Sequence, residues 1–126
     1  MDYKQKIFQV VFILWIIAIT LLSLVETDKL PSFEVKNSDK FGHFVFYFLL
    51  TFFLFLALPK QRLSLRFKLL FSFSFSVIYG IIIEVLQGVV TAKRQPEILD
   101  VFANTLGSLL AVLVICFLLP RVKFLK

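Results

Sequence analysis

The sequence predicts an all-α membrane protein in which four transmembrane helices form an antiparallel bundle. Of its 126 residues, 60% are hydrophobic, and the mean hydropathy is +0.93. A soluble domain rarely exceeds about half apolar residues. About 20 helical residues are enough to cross the hydrocarbon core of a bilayer. Four apolar runs have that length, and they cover residues 7–25, 42–58, 69–90 and 98–119.

The first run predicts an uncleaved membrane span. Lys4 and Lys6 precede it, as basic residues precede the apolar part of a secretory signal peptide. The run is too long for that part of a signal peptide, and no small-x-small cleavage pattern follows it. Because the chain is short, we expect one domain over residues 1–126, with no additional fused domain.

The next three runs also predict helices. A short basic stretch, residues 59–68, joins the second run to the third, which favours antiparallel neighbours. Phenylalanine and serine alternate over residues 71–76, as in a strand of a membrane barrel, but such strands have about 10 residues and this run is twice as long. Just before the fourth run lies Glu97, an acid where the helix dipole favours negative charge.

The distribution of charge predicts the orientation. With both termini cytoplasmic, nine of the fourteen basic residues lie on the cytoplasmic side, where short loops are usually enriched in lysine and arginine. The net charge of +6 is then mainly an orientation signal. Nucleic-acid binding is not expected, because it requires a basic face on a soluble domain.

Polar residues gather at the other, extracytoplasmic end of the four runs. Each charge inside hydrocarbon costs roughly 2.5–3.5 kcal/mol on insertion scales, so a chain that keeps several near one membrane face is expected to use them. The clusters are Asp39-Lys40 with His43, Glu84 with Gln87, Lys93-Arg94, and Asp100 with Asn104.

The second helix places Asp39, His43 and Tyr47 on one face, because they are spaced by four residues. His43 is the single histidine and lies inside the apolar boundary, where it is either a general base or a hydrogen-bonded packing residue. Structural alternatives exist for its neighbours: Asp39 as a helix cap, Lys40 extending to the interface, and Tyr47 in an aromatic belt.

Glu84 is the most deeply embedded acid, and it shares a face of the third helix with Gly80 and Gln87. An intramembrane carboxylate is by default a functional-site hypothesis. The alternative is a structural ion pair with Lys40 or Arg94.

The fourth helix carries Asp100, Asn104 and Gly107 on one face. Asn104 is a candidate for hydrogen bonding between helices, and Asp100 for complementing the helix dipole. Arg94, just before this helix, has the planar fork that holds phosphate or carboxylate.

These patterns give candidate residues in two roles. The candidates for catalysis are Glu84, His43, Asp39 and Asp100. The candidates for binding are Lys40, Tyr47, Gln87, Arg94 and Asn104. A divalent metal bound by His43 with two or three carboxylates is compatible with the sequence, but the spacing is not diagnostic of a metal, so no cofactor and no metal ligand is assigned. The single cysteine, Cys116, excludes an internal disulfide.

The chain resembles the VanZ-like family. The resemblance rests on DKFGHF at residues 39–44 with Tyr47 one turn on, YGIIIEVLQ at 79–87, Arg94, and DVFANTLG at 100–107. It implies a four-helix protein of the bacterial cytoplasmic membrane and cell envelope. The founding member is associated with low-level teicoplanin resistance, a glycopeptide phenotype that the resemblance does not require of this chain.

Three functions are compatible with the sequence. The first is a binding site for an anionic or glycosylated envelope lipid, including a lipid-linked cell-envelope precursor, in which cations hold phosphate and carboxylates hold sugar. The second is an intramembrane enzyme that modifies such a lipid by carboxylate and histidine acid–base chemistry. The third is a small transporter, which is disfavoured because the inner halves of the second and fourth helices contain almost no polar groups apart from Thr51. No oligomeric state is predicted.

Overall fold

Four long helices make up the fold. The computed structural model describes residues 2–25, 38–91 and 96–123. The helices are α1 (Tyr3–Leu24), α2 (Ser38–Ala57), α3 (Leu65–Val90) and α4 (Ile98–Leu118). Each helix is long and apolar enough to cross a membrane. The described residues contain no strand, and the prediction of an all-α membrane protein is confirmed.

The first three helices begin four residues before their apolar runs, because a polar first turn precedes each run. Two of these starts are capped by side chains. Asp2 accepts a hydrogen bond from the backbone N–H of Lys4 at 3.4 Å, and Ser64 accepts one from Phe67 at 3.1 Å. Such caps satisfy amides that have no partner inside the helix.

Successive helices run in opposite directions, so α2 and α4 are parallel. These two helices make the most extensive contact in the bundle, while α1 packs mainly on α2. The N-terminal ends of α2 and α4 therefore lie beside the C-terminal ends of α1 and α3. All the candidate site residues that the structure describes belong to this end, except Tyr47, which lies two turns deeper.

The bundle interior has two apolar clusters. One contains Ile19, Tyr47 and Leu50, and the other, toward the opposite end, contains Phe55, Leu56 and Ile115. Small polar side chains line the interior face of α3. Its residue Ser76 is fully buried and accepts a hydrogen bond from Thr51 of α2 at 2.8 Å. The large apolar residues of the outer faces are exposed, as lipid contact requires.

Polar bonds hold α1 against the other helices. The indole N–H of Trp15 donates to the Phe46 carbonyl at 3.0 Å, and the amides of Gln5 and Gln9 donate to the Ala57 carbonyl at 3.3 Å. Thr20 is hydrogen-bonded to Tyr79 of α3. In a bilayer these bonds matter, because apolar helix surfaces gain little by leaving lipid for one another.

Candidate functional site

The polar residues of three helices converge at one end of the bundle. The group comprises residues from the start of α2, the end of α3 and the start of α4. Its members are Asp39, Lys40, His43, Glu84, Glu97, Asp100 and Asn104. We call this group the polar cluster.

Two glycines allow the helices to approach closely enough to form the cluster. A Cβ on Gly107 of α4 would overlap the carbonyl oxygen of Phe44 in α2. A Cβ on Gly80 of α3 would lie 2.9 Å from the Asn104 amide nitrogen and 3.1 Å from the Tyr47 ring. Small residues are what close helix packing in membranes requires.

His43 joins α2 to α4 through both ring nitrogens. Its Nδ1 lies 3.2 Å from the side-chain oxygen of Asn104, and its Nε2 lies 3.6 Å from the Asp100 carboxylate. Asn104 presents a carbonyl oxygen, which accepts a hydrogen bond from Nδ1 in the tautomer that is protonated there. The lone pair of a neutral His43 is then on Nε2, facing Asp100.

Lys40 covers the cluster and contacts three carboxylates. Its ammonium lies 2.9 Å from Glu97, 3.3 Å from Asp39 and 3.6 Å from Asp100. The side chain of Asp39 is 59% exposed and that of Glu97 is 52% exposed, whereas Asp100 is buried. Lys40 therefore links the exposed rim of the cluster to its buried part.

Glu84 is the buried acid of the cluster, with only 3% of its surface exposed. Its Oε2 accepts a hydrogen bond from the backbone N–H of Glu97 at 3.1 Å. Glu97 is the N-cap residue of α4 and makes no side-chain cap bond of its own, so α3 supplies the acceptor at this helix start. The second oxygen, Oε1, is buried and has no hydrogen-bond partner among the described residues.

Two further buried polar side chains pack against α3 at Gly80, four residues before Glu84. They are Tyr47 and Asn104, and neither the Tyr47 hydroxyl nor the Asn104 amide nitrogen has a hydrogen-bond partner within the described part of the chain. A buried polar group without a partner costs about 1–3 kcal/mol. Such groups are rare in native proteins and call for an explanation.

Two further sequence candidates, Gln87 and Tyr47, are not members of the polar cluster. The Gln87 amide donates to the Ser23 carbonyl at 2.8 Å, so it fastens α3 to the end of α1. Tyr47 lies beneath the cluster in the apolar core. Arg94, together with Lys93, is outside the described residues.

Glu97 is a cluster member whose contacts the sequence reasoning missed. Its position before α4 was explained by the helix dipole alone, although it also binds Lys40. The available signal was its spacing of three residues from Asp100, which brings both side chains to the same helix end. With Glu97 included, the cluster holds four carboxylates against one lysine and one imidazole.

A cleft of about 510 Å³ lies at the opposite end of the bundle. Its lining includes Lys4, Lys60 and Arg62, next to the start of α1 and the α2–α3 connection. Basic residues are common in short loops on one side of membrane proteins. The buried carboxylates Glu84 and Asp100 lie in the polar cluster instead.

A family model described as VanZ/LLP1 matches residues 3–119 of the chain. No curated protein and no solved structure matches the chain significantly. The match covers all four helices and every member of the polar cluster. The chain therefore belongs to the VanZ/LLP1 family.

Proposed function

We propose that this VanZ-family membrane protein binds the head group of an envelope lipid in its polar cluster. The ligand class is an anionic or glycosylated lipid, such as a lipid-linked cell-envelope precursor. The protein would lie in the bacterial cytoplasmic membrane with both termini cytoplasmic and the cluster facing outward. One observation carries the proposal: Glu84, Tyr47 and Asn104 have buried polar atoms that find no hydrogen-bond partner among the described residues, near a partly exposed lysine.

The chemistry of these groups suits a phosphorylated sugar. Sugar hydroxyls donate to carboxylates such as Glu84 and accept from an amide such as that of Asn104. A phosphate would pair with Lys40, and Arg94 is a candidate for a second, bidentate contact. Because the ion pairs of Lys40 are partly exposed and each contributes only about 1 kcal/mol or less, a head group can replace them at small cost.

A second candidate is an enzyme that modifies the same lipid. The observation that favours it is the contact of His43 with Asp100 at 3.6 Å, with Glu84 nearby in the same cluster. A neutral His43, held by Asn104, would act as a general base, and one of the carboxylates as a general acid. Turnover of a polyprenyl-phosphate or phospholipid substrate by the purified protein, and its loss in His43→Gln, would establish this activity.

A link to glycopeptide susceptibility follows from the proposal only if the bound lipid is a cell-wall precursor. In that case, expression of the protein should change the teicoplanin concentration that inhibits growth. Expression of the Glu84→Gln variant, at equal membrane abundance, should leave the inhibitory concentration as it is in cells without the protein. An equal effect of both proteins would separate any glycopeptide effect from the polar cluster.

The proposed orientation predicts which ends of the bundle are accessible from outside the cell. In a Cys116→Ser background, a cysteine replacing Asp39 should react with a membrane-impermeant maleimide added to intact cells. A cysteine replacing Lys60, at the opposite end, should react only after the membrane is permeabilised. The reverse pattern would overturn the orientation.

The lipid proposal predicts that Glu84→Gln loses a co-purified lipid. Native mass spectrometry of detergent-purified protein should detect one lipid class bound to the wild type. Its occupancy in Glu84→Gln should fall at least about tenfold, the equivalent of 1.4 kcal/mol, because the substitution keeps the shape but removes the charge.

The matched control is Asp2→Asn, which makes the same carboxylate-to-amide change at the opposite end. Asparagine also caps helices well, so α1 should remain intact. The control should bind lipid as the wild type does. Identical, unselective lipid patterns in all three proteins would contradict the proposal and leave Glu84 with its structural role at the start of α4.

A further inference from the structure

We propose that His43, Glu84 and Asp100 form a binding site for one divalent transition-metal ion, Mn²⁺ or Zn²⁺. Each residue comes from a different helix, and each offers one donor atom. The three donor atoms all lie within 4.8 Å of one another. This site does not depend on the lipid proposal, because it is defined by the protein's own side chains.

The first argument is the state of the histidine. Metal-binding histidines usually donate the N–H of their other nitrogen to a carbonyl or carboxylate, which fixes the tautomer. Here Nδ1 of His43 lies 3.2 Å from the Asn104 carbonyl oxygen, so a neutral His43 that donates through Nδ1 carries its lone pair on Nε2. That lone pair faces the Asp100 carboxylate at 3.6 Å, and two donor atoms facing each other require a cation or a proton between them.

The second argument is geometry. Two donors bound tetrahedrally to one ion at about 2.1 Å are separated by about 3.4 Å. The separation of 3.6 Å between Nε2 of His43 and Asp100 is close to this value. Imidazole nitrogen favours Zn²⁺, and carboxylate oxygen favours Mn²⁺ as well, so a mixed set of one nitrogen and two oxygens suits either ion.

The third argument is the unsatisfied carboxylate. Glu84 is 3% exposed, and its Oε2 is used by the Glu97 amide. Its Oε1 is buried and has no hydrogen-bond partner in the described ranges. Burying a carboxylate oxygen without a partner is costly, and a bound cation would supply the partner.

A second set of carboxylates is a poorer site for an ion. Asp39, Glu97 and Asp100 also offer donor atoms within 4.8 Å of one another. However, the Lys40 ammonium already lies within 3.6 Å of all three carboxylates. Two of the three are more than half exposed, so water can compensate them.

The test is Mn²⁺ binding to the detergent-purified protein after treatment with a chelator. In a titration, the electron paramagnetic resonance signal of free Mn²⁺ measures how much ion remains unbound. It should give a stoichiometry of one bound ion per chain. Pulsed measurements should detect coupling of the bound ion to one imidazole nitrogen, which can only be that of His43, the single histidine. Zn²⁺ should displace the Mn²⁺.

Substitutions show which of the two candidate ligand sets binds the ion. His43→Gln, Glu84→Gln and Asp100→Asn should each weaken Mn²⁺ binding at least about tenfold. Asp39→Asn, the matched control at the exposed rim, should bind Mn²⁺ as the wild type does. The thermal midpoint of each variant in chelator identifies any that fail to fold, and the nitrogen coupling of the wild type tests the proposal without any variant.

Two outcomes would overturn the site. One is the absence of saturable binding below about 1 mM Mn²⁺, which would leave His43 and Asp100 sharing a proton as an ion pair. The other is binding that is lost in Asp39→Asn and kept in His43→Gln. That result would place the ion at the exposed carboxylates.

Discussion

Gly107→Ala is expected to lower the free energy of unfolding by about 3 kcal/mol, the upper part of the usual range for overpacking. An added Cβ would overlap the Phe44 carbonyl oxygen and lie 3.1 Å from the backbone nitrogen of Phe48. Both are backbone atoms of α2, so no side-chain rotation can relieve the overlap. The two helices must separate along their most extensive contact.

The matched control is Gly42→Ala, the same change in the first turns of α2. No atom lies within 4 Å of the position where its Cβ would be. Alanine favours helix over glycine by about 1 kcal/mol, so this variant should be as stable as the wild type or more stable. Denaturant titration in mixed micelles, followed by circular dichroism, measures both variants. Equal effects of the two substitutions would show that α2 and α4 are not in close contact at Gly107.

The same variant should also disturb the polar cluster. Asn104 lies three residues before Gly107 on the same helix, so separating α4 from α2 should lengthen its hydrogen bond to His43. Because the chain has one histidine, the imidazole resonances of His43 are identified without assignment. We expect them to shift in Gly107→Ala and to keep their positions in Gly42→Ala.

Two substitutions of Tyr47 are expected to distinguish its contribution to stability from its contribution to ligand binding. The residue is 1% exposed and packs against Ile19 and Leu50, so Tyr47→Ala should leave a cavity and cost about 3 kcal/mol. Tyr47→Phe keeps the ring and removes a buried hydroxyl that has no hydrogen-bond partner among the residues described. Its free energy of unfolding should therefore stay within about 0.5 kcal/mol of the wild type, or rise.

Tyr47→Phe is expected to weaken ligand binding. If the hydroxyl is kept to bind a head group, the phenylalanine variant should retain less of the co-purified lipid while staying folded. The unfolding titration used for Gly107 and native mass spectrometry measure the two properties on the same sample. A clear loss of stability with unchanged lipid would mean that the hydroxyl has a structural partner instead.

The number and type of helices were predictable because hydropathy over about 20 residues is a strong signal. The first residues of α1, α2 and α3 were not predictable from hydropathy, because the polar turns at these helix starts carry no hydropathy signal. The apolar runs placed the start of α3 at residue 69, whereas the helix begins at Leu65 after the cap Ser64. The apolar run of α4 begins at Ile98, and the helix begins at the same residue.

Much of the polar cluster was also predictable. Helical spacing puts His43 on the same face of α2 as Asp39, and it puts Asp100 and Asn104 on one face of α4. Which faces meet depends on packing, and here Gly80 and Gly107 decide it. Gln87 illustrates the limit. It shares a face with Glu84, yet one turn further along α3 its amide reaches the end of α1 instead.

The polar attachment of α1 has a consequence for the order of assembly. When α1 enters the bilayer during synthesis, its partners Phe46 and Ala57 belong to a helix that has not yet been inserted. Its apolar surface holds it in the membrane alone, with little of it buried against protein even in the finished bundle. Trp15, Gln5 and Gln9 can find their carbonyl partners only after α2 has been inserted, and Thr20 can meet Tyr79 only after α3. Insertion and docking of this helix are therefore separate events, the first driven by lipid and the second by directional bonds.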